Sequence, residues 1–88
     1  MPFYEVLRLL ITEPGKHHFR RRQWDNEYCH NDTKYIASFA VNPAYISVVI
    51  VHKSNNTGYC FTPSYADITV NDWFEVDVWI QNIHFIKL

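Results

Sequence analysis

The sequence predicts a single small α+β domain, in which an N-terminal helix packs on an antiparallel β-sheet. The chain has 88 residues, which is the length of one domain. Its first residues carry apolar side chains at helical spacing. Most of the later segments alternate between apolar and polar residues, which is the pattern of strands with one buried face, and turn residues separate them.

The helix is predicted over residues 2–12. Proline suits the first turn of a helix, because its missing N–H has no partner there in any case. The apolar side chains of this segment form one broad face, made of Val6, Leu7, Leu9, Leu10 and Ile11. Pro14-Gly15 follows, and this pair is typical of a helix end.

The segment after the helix, residues 16–24, has no helical period and is predicted to be a strand. In that strand Arg20, Arg22 and Trp24 would project to one face and Arg21 to the other. Side chains on one face of a strand lie about 6–7 Å apart. That spacing is close to the distance between a base and its own diphosphate.

Further strands are predicted along the rest of the chain. Residues 35–40 alternate, and Tyr45–His52 is apolar and β-branched, which favours a central strand. Residues 53–58 are rich in turn formers and predict a hairpin loop, after which the chain returns as another strand. The last pattern, residues 74–88, predicts a long strand that a bulge or turn interrupts at Gln81-Asn82.

The charge and the apolar pattern exclude some partners. Net charge is −1, from 8 basic and 9 acidic residues, whereas general nucleic-acid binders are strongly basic, so no DNA or RNA partner is expected. The longest apolar stretch, residues 44–51, is too short to span a bilayer. No secretion signal is recognised, so we expect a cytoplasmic protein without a membrane partner, whose Cys29 and Cys60 remain reduced.

Aromatic residues make up 17% of the chain. A buried aromatic side chain removes roughly 150–250 Å² from water, so 3 Trp, 6 Tyr and 6 Phe can exceed what one small core holds. We therefore expect a homo-oligomer, in which some of these rings are buried between copies. The alternative is a core that is simply rich in aromatics.

The first candidate site is the run of residues 20–26. The guanidinium groups of Arg20 and Arg22 can bind phosphate bidentately, and Trp24 offers a flat face for a base. Asn26 adds an amide at the end of the run. The structural alternative is a solvated strand edge with a buried tryptophan.

The second candidate site comprises two neighbouring loop segments. It contains Pro63, Ser64, Asp67, Asp72 and Trp73. Hydroxyl, carboxylate and aromatic groups near loops can bind ribose hydroxyls and base edges. Structurally, the proline and serine could instead open a short helical turn, the two aspartates could stabilise turns, and the tryptophan could belong to the core.

Catalysis and metal binding are not predicted. The chain has no Cys-x-x-Cys pair, no His-x-x-x-His spacing, no Gly-x-Ser-x-Gly motif, and only 2 glycines in all. Cys29 is followed by His30, but neighbouring residues on a strand face apart, so the imidazole would not reach the thiol. We expect no enzyme activity, no metal and no cofactor.

The order of these segments resembles one family of small phage and prophage proteins. The chain carries FYEVL at residues 3–7, GK at 15–16, RRRQW at 20–24, TPSYADI at 62–68 and DWFEV at 72–76. In this order they resemble the second Thoeris anti-defence family, whose pattern runs Phe-x-Glu-Ala-Leu, Gly-Lys, Arg-Arg-Lys-x-Trp, Thr-Pro-Ser-x-x-Asp-Leu and Asp-Trp-Glu-Val.

The resemblance implies a nucleotide sponge in the cytoplasm of an infected bacterium. Members of the family form homo-oligomers, typically tetramers, that sequester cyclic ADP-ribose isomers without cutting them, and some also hold cyclic oligonucleotides at a separate site. By position, the resemblance implies ligand-binding roles for Trp24, Pro63, Ser64, Asp67, Asp72 and Trp73. Two alternatives remain: a phage inhibitor that binds a host or immune protein, and a small nucleotide-processing enzyme.

Overall fold

An α+β fold is observed, as predicted, in the computed structural model of the chain. The structure describes residues 1–26, 34–42, 45–77 and 84–85. The elements in chain order are α1 (Phe3–Thr12), β1 (His18–Arg21), a 3₁₀ turn (Arg22–Asn26), β2 (Lys34–Asn42), β3 (Tyr45–His52), β4 (Thr57–Cys60), α2 (Tyr65–Thr69), β5 (Trp73–Glu75) and β6 (His84–Phe85). The strand order is β5-β1-β2-β3-β4-β6, in which β6 pairs with β4 in parallel and the other neighbours are antiparallel.

Helix α1 covers one face of this sheet. Val6 and Leu10, one turn apart, are fully buried against the strands. The buried hydroxyl of Ser38 in β2 donates a hydrogen bond to the carbonyl oxygen of Leu10 at 2.5 Å, which ties the end of the helix to the sheet. Gly15 follows with φ +81°, a left-handed conformation that glycine adopts without steric cost. The predicted helix and its end are both confirmed.

The sheet is buried on both faces. On the α1 side the core consists of Val6, Leu10, Phe19, Ile36, Ile50 and Trp73. On the opposite side a second cluster consists of Tyr35, Ala37, Val49 and Val51, against which Phe39 and Val76 pack. Residues of β2 therefore alternate between two apolar layers, which explains why the predicted alternation in residues 35–40 is weak in polar residues.

The predicted hairpin at residues 53–58 is confirmed, since β3 and β4 pair in antiparallel fashion with Ile50 opposite Tyr59. Strands β2 and β3 pair in a long antiparallel register, with Tyr35 opposite Val51. The loop after β3 contains Asn56 at φ 53°, a left-handed conformation that asparagine tolerates better than most residues. The side-chain oxygen of Asn55 accepts a hydrogen bond from the N–H of Thr57 at 3.0 Å, and β4 begins there.

The first strand is shorter than predicted. It ends at Arg21, and the chain then turns through a 3₁₀ helix. The cause is Asp72, whose carbonyl oxygen accepts from the N–H of Arg22 at 3.1 Å and whose carboxylate accepts from the N–H of Gln23 at 3.3 Å. The expectation that Trp24 shares a strand face with Arg20 and Arg22 is therefore wrong.

The long C-terminal strand is also corrected. Strand β5 comprises only Trp73–Glu75 and pairs with β1 at one edge of the sheet. Strand β6, His84–Phe85, lies at the other edge beside β4. Residues 78–83 and 86–88, which include the predicted interruption at Gln81-Asn82, are outside the described residues. Among the residues described, no helix has the length and apolar character needed to cross a membrane.

His17 joins the end of α1 to strand β5. Its Nδ1 lies 2.9 Å from a carboxylate oxygen of Glu75, and its Nε2 contacts the carboxylate of Glu13. The hydrogen bond with Glu13, and then that with Glu75, raises the pKa of His17 above its ordinary value of 6.5. Both ring nitrogens can donate only in the imidazolium form. The two hydrogen bonds, called the His17 clasp below, therefore form together when His17 is charged.

We expect this clasp to weaken at high pH. Because the folded-state pKa of His17 exceeds its unfolded value, its contribution is complete below about pH 6.5 and is lost as pH rises through the folded pKa. The difference in unfolding free energy between the wild type and His17→Gln should therefore shrink with rising pH. Urea titrations across a pH series would measure it.

The neighbouring histidine is a matched control of opposite sign. Burial lowers the pKa of His18, so the folded state disfavours its protonation. Its contribution is present above the unfolded pKa and is lost as pH falls. The difference between the wild type and His18→Gln should accordingly grow with rising pH. Parallel curves for the two variants would contradict the assignment of the clasp to His17.

Candidate functional site

A pocket of about 450 Å³ opens beside helix α2, on the face of the sheet that α1 covers. This volume is within the range of about 300–1,000 Å³ that is usual for small-molecule sites. The 3₁₀ turn, strands β3 and β4, and the loop that leads into α2 contribute its walls. One side is aromatic and the other is polar, so the pocket can contact a flat ring and a charged group together.

The aromatic side consists of Trp24, Tyr59 and Phe61, all half-buried. The ring of Trp24 meets that of Trp73 edge to face, at 5.2 Å between centroids. Tyr59 stacks on His52 at 5.5 Å, and its hydroxyl lies 2.9 Å from the imidazole Nε2. Phe61 meets Trp73 edge to face at 6.3 Å. Each of the three rings therefore contacts an aromatic residue outside the pocket lining, which preorganises the wall for stacking.

Lys34 adds a cation to the aromatic side. It is the first residue of β2, and its Nζ lies 5.0 Å from the centroid of the Trp24 ring. An ammonium in that position is attracted by the negative face of the ring. Both side chains line the pocket and both are half-buried.

Arg21 is the centre of the polar side. The side chain is nearly inaccessible, and the residue is only 4% exposed. Its Nε donates to Asp72 and its Nη1 to Asp67, each at 2.9 Å, while its Nη2 donates to the side-chain oxygen of Gln23 at 2.6 Å. A buried guanidinium requires such partners, because an isolated buried charge is strongly unfavourable.

The carboxylates shift the pKa values of this group in the direction of charge. Desolvation alone would lower the pKa of Arg21, but the hydrogen bonds to Asp72 and Asp67 outweigh it and raise the pKa. Desolvation would likewise raise the pKa of Asp72, yet the hydrogen bond from Arg21 lowers it overall. The pair is therefore ionised at neutral pH, and its charges largely cancel within the wall.

A capping box at the start of α2 positions Asp67. The hydroxyl of Ser64 accepts from the N–H of Asp67 at 3.1 Å, and the carboxylate of Asp67 accepts from the N–H of Ser64 at 2.8 Å. The carbonyl oxygen of Asp67 also accepts from the indole N–H of Trp73 at 2.8 Å. One aspartate thus ends the loop, holds a core tryptophan and faces the pocket.

Three of the predicted site residues line this pocket: Trp24, Ser64 and Asp67. Trp73, only 2% exposed, is a core residue that supports Trp24 from behind. Asp72 accepts a hydrogen bond from Arg21, and it also accepts the bonds from Arg22 and Gln23 at the end of β1. These contacts are those of the structural alternative for the second candidate site, in which Pro63 and Ser64 open a helical turn and Trp73 belongs to the core.

The remaining predicted residues lie elsewhere. Arg20 and Arg22 place their guanidinium groups 5.3 and 4.6 Å from the ring of Phe74, and Arg20 belongs to the sheet face opposite Arg21. Pro63 precedes the cap of α2 and is outside the pocket lining. Asn26 ends the 3₁₀ turn, and its side chain is outside the described part of the structure.

Sequence reasoning missed Lys34 and Tyr59, and it gave no ligand contact to Arg21 or Phe61, although both lie within the candidate segments. The strand alternation that places Arg21 beside Phe19 could have identified it as a buried arginine that needs carboxylates. No comparable signal in the sequence points to Lys34. In the part of the chain that is described, no group of three or more His, Cys, Asp or Glu residues could hold a metal ion. The exposed free thiol of Cys60 lies at the pocket wall.

We expect Arg21→Met to destabilise the protein by ~3–5 kcal/mol, because it leaves two carboxylates without their cation. The loss should be near the lower end, since the side chain of Asp72 is 29% exposed and part of its charge is screened by water. Arg22→Met is the matched control on the same run, and its loss of the Phe74 contact should cost ~0.5–1 kcal/mol. Equal losses in urea unfolding would disprove the central role of Arg21.

Comparison with known proteins adds nothing to these contacts: no family model, no curated protein and no solved structure matches this chain. The residues and distances of the pocket are what bear on its ligand.

Proposed function

We propose that the protein is an anti-immune sponge that binds a cyclic ADP-ribose-type signalling nucleotide in this pocket and holds it without cleaving it. The observation that carries the proposal is one cavity that combines an aromatic wall, at Trp24, Tyr59 and Phe61, with the cations of Lys34 and Arg21. A cyclic ADP-ribose isomer presents a purine face, two phosphates and ribose hydroxyls. The pocket offers a partner for each of these groups.

The assignment of groups follows from geometry. The purine would stack on the wall at Trp24, because the indole is the largest flat surface that lines the cavity. The phosphates would lie toward Lys34, since the guanidinium of Arg21 is already bound to two carboxylates. The exposed residue Ser64 caps the N-terminus of α2, and its hydroxyl would contact ribose.

Lys34 is the cation in the described pocket lining that an anionic ligand could contact. Arg21 carries the other positive charge of the lining, but Asp67 and Asp72 both bind its guanidinium and together outweigh its charge. Sequestration requires slow release, which combined aromatic and ionic contacts favour.

The resemblance to the second Thoeris anti-defence family supports the same proposal. The resemblance implies action in the cytoplasm of an infected bacterium, where the immune signal accumulates, and it extends the proposal to cyclic oligonucleotides. It also includes assembly into a homo-oligomer such as a tetramer. The exposed aromatic rings of Tyr4, Tyr45 and Tyr65, which are 70%, 57% and 84% exposed, are surfaces that assembly could cover.

The second candidate function is inhibition of a host or immune protein through direct binding. The exposed side chains of Tyr4, Ile11, Tyr65 and Ile68 favour it, because they offer apolar contact area on the two helices. Thermal unfolding separates the two functions. A sponge is stabilised by the nucleotide alone, since a ligand that binds the native state raises the midpoint without a protein partner.

Trp24→Leu should weaken nucleotide binding by ~1–3 kcal/mol, roughly tenfold or more in Kd, through loss of base stacking. Leucine retains apolar volume against Trp73, so that the core contact is partly kept. Calorimetric titration with a cyclic ADP-ribose isomer, after circular dichroism has shown a folded variant, measures the loss. Recovery of intact ligand after denaturation checks that nothing is cleaved.

Arg22→Ala is the control for this experiment. Its guanidinium lies over Phe74, away from the pocket, so affinity should be unchanged if the pocket alone binds the ligand. A salt-dependent loss of nucleotide affinity in Arg22→Ala would indicate instead that Arg20 and Arg22 contact the phosphates. Unchanged affinity in folded Trp24→Leu would remove the tryptophan from the site.

Light scattering tests assembly separately. We expect a particle several times heavier than the chain mass of 10.5 kDa at micromolar concentration. The physical reason is that one domain of this length leaves large aromatic side chains exposed, and burial between copies is favourable. A monomer would contradict the expectation.

A further inference from the structure

Gln23 lines the pocket, and a buried cation holds its side-chain amide. Its Oε1 accepts a hydrogen bond from Nη2 of Arg21 at 2.6 Å, and its backbone N–H donates to the carboxylate of Asp72 at 3.3 Å. Arg21 is buried, whereas Gln23 is exposed and belongs to the pocket lining. The amide is therefore held in one orientation on a residue that a ligand can reach.

The bond to Arg21 decides which polar atom of the amide faces a ligand. A glutamine amide contains an acceptor, the oxygen, and a donor, the NH₂ group. A guanidinium has only donors, so Arg21 can bind only the oxygen. The oxygen thus faces a buried group, and Nε2 is the polar atom that remains for a ligand. In the part of the chain that is described, no group accepts a hydrogen bond from this nitrogen.

We infer that Gln23 is a specificity-determining residue of the pocket, and that its Nε2 donates a hydrogen bond to a ring nitrogen at the edge of a base stacked on Trp24. This inference rests on the proposed nucleotide function and deepens it. Gln23 directly precedes Trp24 in the 3₁₀ turn, and both residues line the same cavity. A base on the indole would therefore have its edge near this amide.

The charges next to Gln23 favour a neutral acceptor over a phosphate. Arg21 binds both Asp67 and Asp72, and these two carboxylates together outweigh its single positive charge. The excess negative charge would repel a phosphate placed at Gln23, whereas a ring nitrogen carries no charge. The base edge is therefore the acceptor that suits this position, and the phosphates remain with Lys34.

The consequence is a preference among bases. A base that turns a purine N3 or N7 toward Nε2 accepts its hydrogen bond. A base that turns an amino group to the same point sets one donor against another, and both lose a partner. An unheld glutamine could reverse its amide and accept from that amino group. Arg21 prevents the reversal, so it is the positioning residue for this choice.

Calorimetric titration with cyclic ADP-ribose and its 3-deaza and 7-deaza analogues tests this contact. Each analogue replaces one ring nitrogen with C–H and keeps both phosphates, so charge effects cancel in the ratio of affinities. We expect one analogue to bind the wild type roughly two- to tenfold more weakly, the net value of a neutral hydrogen bond. In Gln23→Met this preference should disappear. Gln23→Glu, which still accepts from Arg21 and lacks only the donor, should lose it too.

Asn71→Leu is the matched control, because it removes an exposed amide outside the pocket lining and should keep the wild-type preference. If the wild type does not bind cyclic ADP-ribose, the proposed function and the inference both fail. If it binds, but neither analogue is weaker, or the preference persists in Gln23→Met and Gln23→Glu, only the inference fails. Loss of the preference in Asn71→Leu as well would also count against it.

Nuclear magnetic resonance follows the same donor in the unaltered protein. The side-chain N–H signals of Gln23 are identified by their absence in Gln23→Met. One of them should move downfield when cyclic ADP-ribose saturates the wild type, as a proton does on entering a hydrogen bond. The analogue that binds more weakly should leave this signal near its ligand-free position. A signal that cyclic ADP-ribose does not move would overturn the inference.

Discussion

The guanidinium of Arg21 is buried and binds two carboxylates, those of Asp67 and Asp72. Asp67 is in the first turn of α2, Asp72 precedes β5, and Arg21 is the last residue of β1. Removing Arg21 would leave the buried carboxylate of Asp67 without its cation, and removing either aspartate would take one acceptor from a buried guanidinium. The relative positions of the strand, the short helix and the strand partner are thus set by a single ion-pair network.

The pocket depends on the same network. Asp72 also accepts from the N–H groups that follow β1, so the chain leaves the sheet there and places Trp24 in a 3₁₀ turn. Asp67 holds the indole of Trp73, on which Trp24 rests. An aromatic wall therefore stands next to a buried guanidinium that two carboxylates bind.

Three separate segments of the sequence meet at this network. Arg21 comes from the arginine run, Asp67 from the Thr-Pro-Ser-x-x-Asp segment and Asp72 from the Asp-Trp pair. A cation, a capping box with its aspartate, and an aspartate before a core tryptophan therefore contact one another at this point of the fold.

The sequence by itself determined the fold class, the helix with its end, the hairpin at residues 53–58 and the helical turn at Ser64, because each depends on local periodicity, turn residues or a local cap. It also named Trp24, Ser64 and Asp67, which line the pocket, as candidates. Only the tertiary structure decided where β1 ends, because the bonds that end it come from Asp72, about 50 residues away. For the same reason it placed Arg21 inside and Lys34 over Trp24: long-range ion pairs and packing leave no pattern in a neighbouring stretch of sequence.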